Sequence, residues 1–204
     1  ATPCNYATIF DANAIKNTSC SSQIFWYIPA RDPHDNNSFY EGKINMQAII
    51  LAAGSGTRLH PFTKNKPKAL INLAGVPLIE FTFNQLLKTK ANISEFILVV
   101  NYIKEKIKKY FGDSYNKIPI RYVKQDKKLG TGHALLMVEE FIKEDFLMLY
   151  GDDLYSFKDI QKVLENKNCM LLQKLEDVSN FGVVSVDGKG KVIDVIEKPT
   201  EAVD

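Results

Sequence analysis

The sequence predicts an α/β fold: a mainly parallel sheet with helices packed on its faces. Two observations carry this. First, short apolar runs at 47–51, 96–100, 120–123 and 146–150 alternate with helical patterns at 78–88, 103–111 and 133–141. Strands apolar on both sides are buried on both faces, which is the condition of a parallel sheet with crossover helices. Second, the polar or glycine-bearing stretches 52–58, 125–132 and 151–153 each follow one of these runs directly. A parallel sheet gathers its ligands at the carboxyl ends of its strands, so three loops distant in sequence are expected at one edge.

The elements follow in chain order. The run 47–51 reads as a buried strand ending at a Gly-rich loop. Pro77 opens a helix over 78–88, with Leu78, Ile79, Phe81, Leu86 and Leu87 as its apolar positions. After the strand 96–100, an amphipathic helix over 103–111 is closed by Gly112. The strand 120–123 precedes a helix over 133–141 that Gly130, Thr131 and Gly132 introduce. The strand 146–150 stops at Gly151-Asp152-Asp153. A helix over 159–166 and a strand over 170–173 come next. Runs 182–186 and 191–196 flank Asp187-Gly188-Lys189-Gly190 and read as a hairpin.

Composition bounds the function. The chain has 204 residues, 45% of them apolar and 25% charged, enough apolar surface to exclude disorder as its dominant state. The net charge of +2 argues against a dedicated nucleic-acid surface while leaving room for a small phosphate site. No apolar run approaches the roughly 18 residues a membrane span needs. Cys4, Cys20 and Cys169 are scattered and odd in number, so neither a disulfide framework nor a CxxC metal site is expected, and a reducing, cytoplasmic setting is.

The chain changes character near Met46. Residues 1–45 carry only seven charged residues, are rich in Asn and Ser, and are broken by Pro3, Pro29 and Pro33. They are expected to form a loosely ordered extension without an assigned role, in which the apolar knot 24–28 reads as a strand able to dock. Residues 46–204 form the expected working domain, with Met46 as its natural start. An initial Ala and an unmarked end at Asp204 suggest a fragment at both ends.

The first loop, Leu51-Ala52-Ala53-Gly54-Ser55-Gly56-Thr57-Arg58-Leu59, is neither a Walker A nor a G-x-G-x-x-G sequence. Its small residues nevertheless let a ligand approach the backbone, whose N–H groups can hold phosphate oxygens. Arg58 directly beyond it can clamp phosphate bidentately, and Lys68 adds a second cation. Asp152 follows an apolar strand, where one carboxylate can hold Mg²⁺ together with substrate phosphates. His133 has no second His or Cys at ligand spacing and reads as a hydrogen-bonding residue near a helix terminus.

Together these segments resemble the sugar-1-phosphate nucleotidylyltransferases. The resemblance runs in order through residues 51–59, Pro61, Thr63, Pro67-Lys68, Gly75-Val76-Pro77-Leu78-Ile79-Glu80, Leu129-Gly130-Thr131-Gly132-His133-Ala134, Gly151-Asp152-Asp153, Phe181-Gly182-Val183 and Glu197-Lys198-Pro199. It implies a Rossmann-like sheet that transfers a nucleoside monophosphate from an NTP to a sugar 1-phosphate and releases pyrophosphate.

The resemblance also implies roles. The loop Leu51, Ala52, Ala53, Gly54, Ser55, Gly56 and Thr57 binds nucleotide, with Ala52, Ala53 and Gly54 meeting base and ribose through backbone groups. Arg58 holds the departing pyrophosphate and Lys68 bridges phosphate oxygens. Gln125 reads the pyrimidine edge beside Gly130 and Thr131. Asp152 binds Mg²⁺, with Asp153 as a weaker partner. Gly182 and Glu197 touch the sugar, and Lys198 the acceptor phosphate. The family continues beyond Glu-Lys-Pro to further sugar contacts and a second metal ligand, so a domain incomplete at its carboxyl end is expected. Gln125 with residues 129–134 is similar to uridylyltransferases acting on N-acetylglucosamine 1-phosphate. The Arg58-to-Lys68 interval is closer to thymidylyltransferases acting on glucose 1-phosphate and to archaeal-type bifunctional relatives. UTP is favoured over dTTP. A non-catalytic regulatory scaffold of the same fold is the alternative of another class, and the presence of Arg58, Lys68 and Asp152 speaks against it. A homo-oligomer is left open.

Overall fold

The computed structural model describes residues 5–8, 26–28, 45–54, 56–101, 104–127, 129–166, 168–172, 181–187 and 191–197. The strands are β1 (Asn5–Thr8), β2 (Trp26–Ile28), β3 (Asn45–Leu51), β4 (Asn72–Leu73), β5 (Val76–Pro77), β6 (Asn92–Val100), β7 (Ser114–Tyr115), β8 (Ile118–Lys124), β9 (Asp145–Tyr150), β10 (Cys169–Leu172), β11 (Gly182–Val186) and β12 (Val192–Glu197). The helices are α1 (Leu78–Leu87), α2 (Lys104–Phe111), α3 (Gly130–Leu136) and α4 (Phe157–Leu164).

Eight strands form one sheet in the order β1-β10-β2-β9-β3-β6-β8-β7. Its centre is parallel, as expected: β3 pairs with β6 on one side and β9 on the other, and β6 pairs with β8. Antiparallel strands extend both flanks, β7 beside β8 and β2 beside β9, with Trp26 opposite Met148. Two short pieces of the 1–45 segment therefore enter the sheet, and β10 lies between them.

Alternation along the central strands divides the core. Met46, Ala48 and Ile50 of β3 join Phe96, Leu98 and Val100 of β6 on the face covered by α1, α2 and α4. Ile49 and Leu51 join Ile97, Val99 and Val123 on the face covered by α3. Both faces are covered over β3, β6 and β9, so these strands are nearly continuous apolar runs, whereas β8 turns Arg121 and Lys124 outward. The helix expected over 133–141 is a correction. α3 begins at Gly130 and ends at Leu136, and a separate 3₁₀ turn covers Glu139–Phe141. The break lets Val138 bury completely against the sheet. α4 begins at Phe157, two residues before the expected start, because the Ser156 hydroxyl caps it by accepting from the Lys158 N–H at 3.1 Å.

Gln47 is the polar exception in β3. Its amide nitrogen donates to Glu95 Oε2 at 3.0 Å and to the Phe141 carbonyl at 2.9 Å, and its oxygen accepts from the Lys143 N–H at 2.8 Å. The side chain thus ties the entry of β9 to β3. Gln47→Leu should lower stability by about 2–3 kcal/mol, since it strands a carbonyl and an N–H without partners. Urea unfolding should show a lower midpoint at unchanged slope. A midpoint equal to wild type would show that this tie contributes nothing.

Candidate active site

Because β3, β6, β8 and β9 run parallel, Leu51, Val100, Lys124 and Tyr150 end at one edge. The strand order puts the β3 loop between that of β9 and that of β6. Hydrogen bonds continue past the strand ends and hold the loops together. Ala52 N–H donates to Val99 O at 2.8 Å, Gln125 N–H to Val100 O at 2.7 Å, and Gly151 N–H to Leu51 O at 2.9 Å. A Cβ on Gly151 would sit 3.2 Å from Ile50 Cγ2 and 3.3 Å from Ala52 Cβ, a tight fit that shows how closely β9 leaves the sheet beside the β3 loop.

Within the loop, Ala52 and Ala53 are half-buried and Gly54 is exposed. Asn101 fixes the first turn by donating its amide to the Ala53 carbonyl at 2.7 Å. Gly56 takes a left-handed φ of 62° and introduces the 3₁₀ turn Thr57–Leu59, on which Arg58 lies. The Thr63 hydroxyl donates to the Gly56 carbonyl at 2.6 Å. A Cβ on Gly56 would come within 2.8 Å of Thr63 Cγ2 and 3.1 Å of Lys68 Cβ. Gly56→Ala should therefore cost about 2–3 kcal/mol, combining left-handed strain with a clash. Gly54→Ala, with nothing within 4 Å of the added carbon, should cost less than about 1 kcal/mol. Equal thermal midpoints for the two variants would contradict this account.

Lys68 opens the 3₁₀ turn Lys68–Leu70 behind Pro67. Its ammonium is paired with Asp152 Oδ2, a contact spanning 84 residues of sequence. The two side chains keep 32% and 28% of their surface, so the pair faces outward from the edge. Asp153 lies deeper. Burial first, then the neighbouring Asp152 charge, raises its pKa above the ordinary aspartate value, while Tyr155 and Lys68 oppose the rise. The Tyr155 hydroxyl donates to Asp153 Oδ2 at 3.2 Å and accepts from the Tyr150 N–H at 3.0 Å. Burial and the Asp153 charge push that phenol well above its ordinary value, so it stays a donor.

At the end of β8, Gln125 is buried, and its Nε2 donates to the Gly130 carbonyl at 3.2 Å and lies 3.2 Å from His133 Nδ1. Gly130 opens α3 with a φ of 87°. Thr131 Oγ1 lies 3.3 Å from the Tyr150 hydroxyl, linking α3 to the end of β9.

The structure thus gathers Leu51 to Gly54, Gly56, Thr57, Lys68, Gln125, Gly130, Thr131 and Asp152 at one edge. Ser55, Lys198 and the side chains of Arg58 and Glu197 lie outside the described residues. Gly182 stands directly opposite Glu197 in the β11–β12 hairpin. Val184, Val192 and Val195 pack that hairpin on Met170 of β10, two strands away from β9. Asn101, Tyr150 and Tyr155 are site-edge residues not singled out from sequence. Their available signal was position: a polar residue immediately after a buried strand, or a tyrosine flanking an acidic turn.

Among the described residues no three His, Cys, Asp or Glu side chains cluster as a metal cage, and no helix is long and apolar enough to cross a membrane. Asp152 and Asp153 alone fit a cation such as Mg²⁺, which takes one or two protein carboxylates and completes its shell with substrate oxygens and water. Lys68 balances the Asp152 charge.

Fold and edge together define the class: a parallel α/β sheet covered on both faces, with its polar loops collected at the carboxyl ends of the strands. The chain belongs to the nucleotidyl transferase family, whose match covers residues 47–204. This is the family expected from the motifs. It is 43% identical over 154 residues to the bifunctional protein GlmU of Methanococcus maripaludis, covering 76% of this chain and 36% of that protein. It is 37% identical over 163 residues to the UTP–glucose-1-phosphate uridylyltransferase AglF of Haloferax volcanii, covering 76% of this chain and 66% of that one. Identity is 39% to the D-glycero-alpha-D-manno-heptose 1-phosphate guanylyltransferase of Campylobacter jejuni, with 75% and 69% covered. A Bacillus anthracis protein assigned as a glucose-1-phosphate thymidylyltransferase and crystallised with sucrose superposes with a TM-score of 0.66. Its identity is 27%, with 76% of this chain and 65% of that one covered. The chain spans 36% of the length of the GlmU relatives it matches.

Proposed function

We propose that this chain carries the nucleotidyl-transfer site of a sugar-1-phosphate nucleotidylyltransferase. The single observation supporting this most is the Lys68–Asp152 pair beside the Gly56 loop, a cation and a carboxylate delivered from separate strands to one edge. In this reading a sugar 1-phosphate oxygen attacks the α-phosphorus of an NTP in line. A new P–O bond forms to the sugar phosphate, the α–β bridging bond breaks, and pyrophosphate leaves. The second pKa of a phosphate monoester is about 6, so the nucleophile is already dianionic at neutral pH and needs no general base. The protein's part is positioning and charge neutralisation. The 52–57 backbone seats the nucleotide. Lys68 swings from Asp152 to the phosphate oxygens, and Arg58 takes the departing pyrophosphate. Mg²⁺, held by Asp152 with Asp153 beside it, would neutralise phosphate charge when bound. Gly182, Glu197 and Lys198 are assigned to the sugar phosphate.

For the nucleotide we favour UTP, with dTTP second, and for the acceptor N-acetylglucosamine 1-phosphate or glucose 1-phosphate. The relatives named for uridylyl, thymidylyl and guanylyl transfer all handle bases with a ring N–H, and Gln125 keeps an oxygen acceptor at the site edge. The scattered cysteines and phosphorylated substrates suit the cytoplasm. Pyrophosphate release should be measured with Mg²⁺, UTP or dTTP, and each sugar 1-phosphate, together with calorimetric titration of Mg-UTP. Release that requires both substrates is the expected result. Absence of nucleotide binding in the full-length protein would refute the reading and leave a scaffold.

A further inference from the structure

We infer that His133 is a positioning residue. It holds the Gln125 amide in one orientation, so that the site selects bases carrying a ring N–H (uracil, thymine, guanine) over cytosine and adenine. The inference rests on the carboxyl edge being a nucleotide site.

Gln125 is 7% exposed, and its backbone is pinned to Val100 O at 2.7 Å. A buried amide this constrained still has two orientations, exchanging its oxygen and nitrogen. The Gly130 carbonyl can only accept, so the atom 3.2 Å from it is Nε2. The same NH₂ group faces His133 Nδ1 at 3.2 Å. Nδ1 is therefore the unprotonated acceptor, and the ring proton sits on His133 Nε2. Both amide protons are then committed, to Gly130 and to His133. No described residue donates to Oε1. The side chain thus offers a ligand one group, an oxygen that accepts. Uracil, thymine and guanine present a ring N–H to such an oxygen, whereas cytosine N3 and adenine N1 present a lone pair that repels it. Gly130 alone occupies one amide proton; His133 occupies the other and raises the cost of turning the amide over.

Two measurements test this. The ¹⁵N spectrum of the free wild-type chain at neutral pH should show His133 as the Nε2–H tautomer. An Nδ1–H tautomer would overturn the lock whatever the protein binds. Calorimetric affinities for Mg-UTP and Mg-CTP should then be compared across wild type, His133→Phe and His133→Asn. Wild type should favour UTP. His133→Phe keeps a planar ring, one atom larger, without the acceptor and should reduce the UTP:CTP affinity ratio about tenfold. His133→Asn, whose Oδ1 overlies Nδ1, should restore it. A His133→Phe loss that is equal for both nucleotides, or failure of Asn to restore the ratio, overturns the positioning role and leaves the proposed function standing. A wild type that binds neither nucleotide overturns both.

Discussion

Replacing Lys68 with Met in the full-length protein is expected to lower kcat by at least about 10²-fold, and Asp152→Asn to do the same. In the proposed reaction each variant removes one of the two paired charges assigned to the same phosphates. Such charges matter more as negative charge redistributes toward the leaving pyrophosphate than in the ground state. Turnover should therefore fall with kcat/KM, while KM for the NTP moves little. The two side chains touch, so the double variant should lose far less than the product of the single losses. The fold should survive. Each side chain keeps nearly a third of its surface, and such pairs contribute at most about 1 kcal/mol. Lys68→Met should also let the Asp153 carboxyl rise further, because Lys68 is one of the groups holding it down. Near-normal pyrophosphate release from either folded single variant would refute the assigned roles.

The second large effect is on stability. Phe83→Ala should destabilise the protein by about 3–5 kcal/mol and lower its thermal midpoint by roughly 10 °C. Phe83 is wholly buried on α1 and meets three other elements. Its ring lies 4.4 Å from Phe96 of β6, 5.2 Å from Phe111 of α2 in an edge contact, and 4.9 Å from Tyr115 of β7. The walls of the resulting cavity cannot close. Phe96 is held by the sheet, and Tyr115 is anchored by one hydroxyl proton shared between Asn84 Oδ1 at 2.9 Å and Glu80 Oε1 at 3.3 Å. Phe83→Leu should cost no more than about 1.5 kcal/mol if the site repacks. A cost below that figure for the alanine variant would mean that the cluster collapses freely.

β3, β6 and β9 were legible because burial on both faces leaves little room for polar residues, as at 96–100, and β8 because its apolar Ile120 and Val123 stand in a short β-branched run. The β11–β12 pair was legible from the Asp-Gly-Lys-Gly sequence between two apolar runs; residues 188–190 lie outside the described residues, and the strands pair antiparallel. The β4–β5 hairpin was not. Strands of two residues have no period, and its turn relies on Ala74 at a φ of 50°, which alanine does not advertise. β7 escaped for the same reason of length. The break after α3 escaped because Val138 continues the apolar pattern through a 3₁₀ turn.

The residues of the candidate site stood in motifs, and the strand–helix alternation was enough to gather their loops at one edge. What the chain could not disclose locally is who touches whom there. Periodicity and turn chemistry report on neighbours within a few residues. Lys68 meeting Asp152, Asn101 holding Ala53, and Gln47 tying β3 to the entry of β9 each join residues dozens of positions apart. Those meetings depend on strand order and on the distance between adjacent strands. Both emerge only when the two apolar faces of the sheet are buried together by helices drawn from the whole length of the chain.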